Sequence, residues 1–220
     1  MSKSPQIPYT PPVFSEEDAL SIAQWELYTA RSRRSIREFA ATPVPCGLIE
    51  AALRIACTAP SGANRQPWRF VVITDPETKH RLRLAAEEEE REFYEHRATP
   101  EWLEALAPIG TDWQKPFLDT APYLIVVFRV NSEPDGDGFK KNYYVPESVG
   151  IAVGFLISAL NHFGLCTLTH TPAPMGFLNE ICGRPTNEKP FVVLPVGYPV
   201  EDYTVPDLPR KPFEEMVLWK

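Results

Sequence analysis

The sequence predicts an α+β fold, built as three layers (α/β/α) with helices on both sides of a sheet. Helical and strand-like stretches interleave along the chain, the pattern of helices packed on a sheet. Two apolar runs, Phe70–Thr74 and Tyr123–Val130, are rich in β-branched residues and too short for core helices, so they read as buried strands. A third stretch, from about Glu147 to Phe163, is apolar on nearly every side, which predicts a buried central helix.

The remaining elements follow in order. Prolines at 5, 8, 11 and 12 predict an extended arm over residues 1–14. Ser15 and Asp18 form a capping pair for a helix to about Arg31, with Leu20, Ile22, Trp25, Leu27 and Tyr28 on an apolar face. A second helix is expected from Pro45 to Cys57. Asp75 caps a third, with Pro76 in its first turn, which reaches about Tyr94. Residues 98–115 mix apolar side chains with Pro100, Pro108 and Gly110 and read as a lid, within a wider lid region of about 87–116. Residues 131–142 read as a loop, Leu165–His170 and Phe191–Val196 as strands, and Gly176–Cys182 as a short helix between them. Three prolines in residues 201–220 predict a second extended arm, leaving 15–200 as the domain proper.

Composition narrows the function. Hydrophobic residues make up 44% of the chain and charged residues 23%, a globular balance. The net charge of −7 excludes nucleic acid as the main partner, because phosphate backbones need a dense basic surface. The most apolar run, Val149–Leu160, is short of the roughly 20 residues that span a bilayer. With no apolar signal core at the start, a cytoplasmic protein without a membrane partner is expected. Gly150 and Gly154 then serve close helix packing. The four cysteines and four histidines show no zinc-ligand spacing, so no metal site is expected.

Four local patterns carry chemistry. Arg31, Arg33, Arg34 and Arg37 put four guanidiniums within seven residues, suited to a doubly charged anion or to a helix end whose dipole favours cations. Pro60, Ser61, Gly62 and Ala63 form a turn that either lets a ligand approach the backbone or simply links helix to strand. There is no glycine-rich dinucleotide or P-loop signature, so a phosphate held by arginines suits a mononucleotide. Thr167, Thr169 and Thr171 alternate, which places them on one face, with His170 as a pocket-wall or surface residue. Glu90 and Tyr94 lie one helical turn apart, with Lys115 beyond the lid; the run Glu87–Glu90 otherwise reads as a solvated face.

Taken together, RRSIR, PSGANRQPWRFVV and LPVGYP resemble the FMN-dependent nitroreductase superfamily. Glu90–Tyr94, Trp113–Lys115, Leu118–Pro122, Gly164–Pro172, Gly183–Lys189 and Val205–Pro212 resemble the iodotyrosine deiodinase family within it. The resemblance runs from about Ser32 to Val217. It implies a nitroreductase-like fold with a central mixed sheet and exchanged terminal arms, in a homodimer with active sites at the subunit interface. It also implies FMN as cofactor and reductive dehalogenation of halotyrosines by stepwise single-electron transfer, with NAD(P)H or a separate reductase as electron donor. By the same resemblance, Arg33, Arg34, Ser35, Arg37 and Arg210 meet the FMN phosphate and ribityl chain, and Pro60, Ser61 and Gly62 the flavin. Thr169 is implied to donate to flavin N5, with His170 and Thr171 beside it, and Ala63 to hold the phenol oxygen through its backbone. Glu90, Tyr94 and Lys115 are implied to clamp the amino-acid group. A general nitroreductase or NAD(P)H:flavin oxidoreductase, or a flavin-binding protein without turnover, would share the arginines and the turn but needs no such clamp. The chain departs from the pattern at His170, where a threonine is common, and at Asn64–Gln66.

Overall fold

A computed structural model describes residues 4–220. The chain divides into two compact units, Met1–Arg33 and Arg34–Lys220. The first three residues of the predicted N-terminal arm lie outside the described residues. Residues 4–14 have no regular secondary structure and are exposed. They lead into helix α1 (Glu16–Ser32), whose Ser15 cap accepts the Asp18 N–H at 3.1 Å and donates its hydroxyl to Asp18 Oδ2 at 2.7 Å. Within α1 only Thr29 is buried; Arg33 ends the helix in an extended conformation.

The second unit holds a four-stranded sheet in the order β1-β2-β6-β5, with every pairing antiparallel: β1 (Trp68–Ile73), β2 (Tyr123–Val130), β6 (Glu188–Gly197) and β5 (Cys166–Thr167). A parallel bridge between Ser35 and Thr167 lays the arginine segment beside β5 and makes the arrangement mixed. Strand alternation sends side chains to two separate cores. Ile125, Val127 and Leu194 pack with α2 (Cys46–Ala56) and α6 (Val145–His162). Leu124, Val126 and Phe128 pack on the other face with α3 (Pro76–Glu92), α5 (Phe117–Thr120) and α7 (Phe177–Ile181). Because β2 is apolar on both faces, it lies inside a three-layer sandwich.

The structure corrects five local expectations. The stretch 131–142, expected as a loop, contains a hairpin of β3 (Ser132–Asp135) and β4 (Gly138–Lys141). Gly136 supplies the positive φ of 59° in its turn, a signal that polar strands without core residues disguise. The strand expected over Leu165–His170 is continuous only for Cys166–Thr167, and His170 rejoins the sheet through a two-way backbone bridge to Val193. Thr167 and Leu168 are both buried, so alternation breaks there, and Thr167 does not share the exposed face of Thr169 and Thr171. The helix read as buried all round buries one side; Gly150, Ile151, Gly154 and Phe155 form an exposed strip on this chain. The lid is more regular than its prolines suggested. Thr99 caps α4 (Pro100–Leu106), a 3₁₀ turn follows at Ala107–Ile109, and Gly110 ends it with φ 67°. The tail 201–220 is irregular apart from one turn, α8 (Phe213–Met216).

Candidate active site

A cavity of about 380 Å³ opens between the C-terminal part of α3, the lid and the segment after β5. Its wall brings together Arg37, Glu90, Tyr94, Lys115, Thr169, His170 and Thr171, and that volume suits a small-molecule site. Glu90 and Thr169, about 80 positions apart, converge because α3 and the segment after β5 both pack on the same sheet face.

Helix α3 sets the acidic side. Asp75 caps it by accepting the Thr78 N–H at 2.8 Å, and Pro76 stands in its first turn, where a missing N–H costs nothing. The helix then runs through Glu87 and Glu90 and loosens into a π turn over Phe93–Arg97. Glu90 Oε2 lies 3.2 Å from the ammonium of Lys115, which is only 3% exposed. Burial raises the Glu90 carboxyl above its usual range, and the Lys115 charge opposes that rise. The Lys115 ammonium also donates to Thr111 Oγ1 at 3.3 Å and to the Asp112 carbonyl, and lies 5.5 Å from the centre of the Tyr94 ring. Tyr94 donates its hydroxyl to the Thr111 carbonyl at 3.1 Å, and burial raises its pKa. Arg91 stacks over Trp113 at 4.5 Å. These contacts sew the lid to α3 and the turn that follows it, and Glu90, Tyr94 and Lys115 among them are cavity residues.

The opposite wall is the segment Leu168–Thr171. His170 is 5% exposed, sits edge-on to Phe117 at 5.7 Å, and leaves Nε2 buried with no partner. Burial first, then the positive charges of Lys115 and Arg37, push its pKa down to about 3. The imidazole is thus neutral near pH 7, and its 4.0 Å approach to Glu90 Oε1 is not an ion pair.

Of the arginine segment, Arg37 lines the cavity. Arg34 donates to the Pro206 carbonyl, and the Arg37 N–H donates to the Tyr203 hydroxyl at 3.2 Å, which ties the C-terminal segment alongside. Ser35 is exposed, and so is Arg210 on the tail. Arg33 belongs to the first unit.

The Pro60–Ala63 turn does not line this cavity. It is a strained piece of backbone: Ala63, Asn64 and Gln66 have φ of 50°, 53° and 48°. Ser61 Oγ accepts the Gln66 N–H at 2.9 Å, and the Gly62 N–H donates to Ser148 Oγ on α6 at 3.3 Å. A Cβ on Gly62 would meet the Tyr143 carbonyl and the Tyr144 ring, each at 2.9 Å, so only glycine fits there. Within one chain, the predicted site residues thus fall into a cavity group and a turn group, with Arg33, Arg34, Ser35 and Arg210 in neither.

Sequence reasoning missed Glu87, Arg83 and Asp119, which brace Lys115 from behind the cavity wall. The Arg83–Glu87 spacing of four residues was visible as a helical pair, but the acidic run around it hid which carboxylate faces inward.

Residues 30–198 match the nitroreductase family. The chain is 54% identical over 207 residues to the iodotyrosine deiodinase of Haliscomenobacter hydrossis, covering 93% of each chain. It is 41% identical over 214 residues to human iodotyrosine deiodinase 1, covering 96% of this chain and 74% of the human one. The fold superposes with a TM-score of 0.76 on a crystal structure of oxidized iodotyrosine deiodinase bound to FMN and 3-iodo-L-tyrosine, at 33% identity over 89% of this chain and 97% of that one. The chain therefore belongs to the nitroreductase family and, within it, to the iodotyrosine deiodinases.

Proposed function

We propose that this protein is an FMN-dependent reductase that removes halogen from halotyrosines, converting iodotyrosine to tyrosine and iodide. The observation that carries the reading is the clamp: Glu90, Tyr94 and Lys115 meet in one cavity beside Thr169. A tyrosine zwitterion offers one ammonium and one carboxylate. Glu90 takes the ammonium, and Lys115 with the Tyr94 hydroxyl takes the carboxylate. Each charge-assisted bond contributes about 1.5–3 kcal/mol. Neutral His170 adds no cation of its own beside Glu90, so the substrate ammonium shares that carboxylate only with Lys115, which turns to the substrate carboxylate.

The donor set fits FMN. Arg33, Arg34, Ser35, Arg37 and Arg210 would hold the phosphate and ribityl chain, with cations for the phosphate and a hydroxyl for the chain. Thr169 and Thr171 offer exposed hydroxyls at the cavity wall, and Thr169 would donate to flavin N5. Pro60, Ser61 and Gly62 would contact the ring, next to His170. Replacing the carbon–halogen bond by carbon–hydrogen with release of halide takes two electrons and one proton, and FMN, when bound, would supply the electrons one at a time. The protein's share is to hold the phenol in place: the Ala63 N–H, presented by a left-handed turn, binds the phenol oxygen as an oxyanion site does. The lid excludes water while the substrate is held.

A homodimer would unite the two groups of site residues. The exposed strip on α6 and the apolar side chains of the C-terminal tail, among them Phe213, Met216 and Trp219, support a second copy as their cover. NAD(P)H or a separate reductase would recharge the flavin. The test is to purify the protein, record flavin absorbance, and titrate its fluorescence with iodotyrosine and with tyrosine. Tight quenching by iodotyrosine is expected. A colourless protein that does not take up added FMN, or turnover of nitroaromatics with no response to halotyrosine, would reject the reading.

A further inference from the structure

Two carboxylates one turn apart on α3 hold the same lid residue by different atoms. Glu90 pairs with the Lys115 ammonium at 3.2 Å. Glu87, 7% exposed, accepts the Lys115 main-chain N–H on Oε1 at 2.7 Å. The same oxygen accepts from Arg83 Nε at 2.8 Å, and Arg83 Nη1 donates to Asp119 Oδ2 at 2.8 Å. Asp119 is fixed in turn: the buried Lys79 ammonium donates to its carbonyl at 3.0 Å and to that of Ala121 at 2.9 Å. A continuous polar strap thus runs from α5 through Arg83 and Glu87 to the lid's last residue. Glu87 has no place on the cavity wall.

We infer that Glu87 is a positioning residue for the substrate clamp: by fixing the Lys115 backbone it sets where the Lys115 ammonium stands relative to Glu90 and the bound amino acid. The physical reason is reach. A lysine side chain has four rotatable bonds, so a point charge is delivered to one place only if its main chain is pinned. A main-chain N–H held by a buried carboxylate is a strong pin, and losing its acceptor leaves a buried donor unpaired. This inference rests on the clamp reading above, but its first readout needs no substrate.

The test compares Glu87→Ala and Glu87→Gln holoenzymes with the unmodified protein. Glu87→Gln keeps an oxygen that accepts the Lys115 N–H; Glu87→Ala does not. In Glu87→Ala, hydrogen exchange at the Lys115 amide is expected to accelerate about tenfold or more, with β2 amides unchanged. With dithionite-reduced enzyme, KM for iodotyrosine is expected to rise about tenfold while kcat stays within about twofold, because the clamp binds the substrate and its transition state alike. Glu87→Gln is expected to restore most of both. Unchanged Lys115 exchange and KM in Glu87→Ala, equal losses of kcat and FMN, or a Glu87→Gln variant no better than Glu87→Ala would each overturn the inference. Altered Lys115 exchange in a protein that ignores iodotyrosine would uphold the pin and reject the substrate reading instead.

Discussion

His170 shows how one residue's environment acts on the molecule. Its pKa falls from 6.5 to about 3 because folding removes it from water and sets it near Lys115 and Arg37. The unfolded chain therefore takes up this proton first as pH drops. The stability from a neutral His170 is complete above pH 6.5 and is lost as pH falls toward 3. The expected slope from this group is up to about 1.4 kcal/mol per pH unit below 6.5. Urea unfolding of the parent and of His170→Asn from about pH 7 down to pH 4.5 measures it. The parent should lose stability more steeply, and parallel curves would refute the assignment. Gly62 gives a second residue-scale prediction. Gly62→Ala drives a Cβ against the Tyr143 carbonyl, which cannot swing aside as a side-chain tip does. The cost is about 1–3 kcal/mol, seen as a lower urea midpoint, together with weaker FMN uptake as the turn shifts. Both residues could be named from the sequence, Gly62 by its turn and His170 by its motif. Neither the buried neutrality of His170 nor the inward aim of Glu87 could be, because burial is decided by elements distant in sequence.

At the scale of elements, the seam between α3 and the lid decides how far the cavity is formed before any ligand arrives. Arg91 over Trp113, Tyr94 to Thr111 and Lys115 to Glu90 close it. A cation–π contact is worth about 0.5–1 kcal/mol at such a half-exposed position. Trp113→Ala should therefore raise the open population several-fold, read as faster limited proteolysis within residues 98–115 at unchanged global stability. Cleavage at the parent rate would show that the stack does not hold the lid. The long elements were legible because caps and apolar runs are local signals: Ser15, Asp75 and Tyr123–Val130 each marked its element correctly. The hairpin at 132–141 was not, since its strands carry no core residues and its register is fixed by backbone pairing alone. The break after Thr167 was also hidden, because it follows from how His170 rejoins Val193, a residue on another strand.

For the whole molecule, helix α6 poses the problem. It is apolar on nearly all sides, yet its strip of Gly150, Ile151, Gly154 and Phe155 lies open, with Ile151 42% and Phe155 40% exposed. Two glycines one turn apart flatten the helix surface, and two large apolar residues stand beside them, which suits close approach of another helix more than contact with water. If a second copy covers this strip, a charge placed there must either find water or keep the copies apart. Phe155→Glu is accordingly expected to shift the protein from dimer to monomer by sedimentation while its far-UV circular dichroism stays native, because both cores lie on the buried side of α6 and across the sheet. If the proposed dimer is what brings the Pro60–Ala63 turn to the Thr169–Thr171 wall, the same variant should also lose FMN on dilution. A monomer that keeps its flavin would show that one chain forms the whole site. A dimer unaffected by the charge would show that the strip is not the interface.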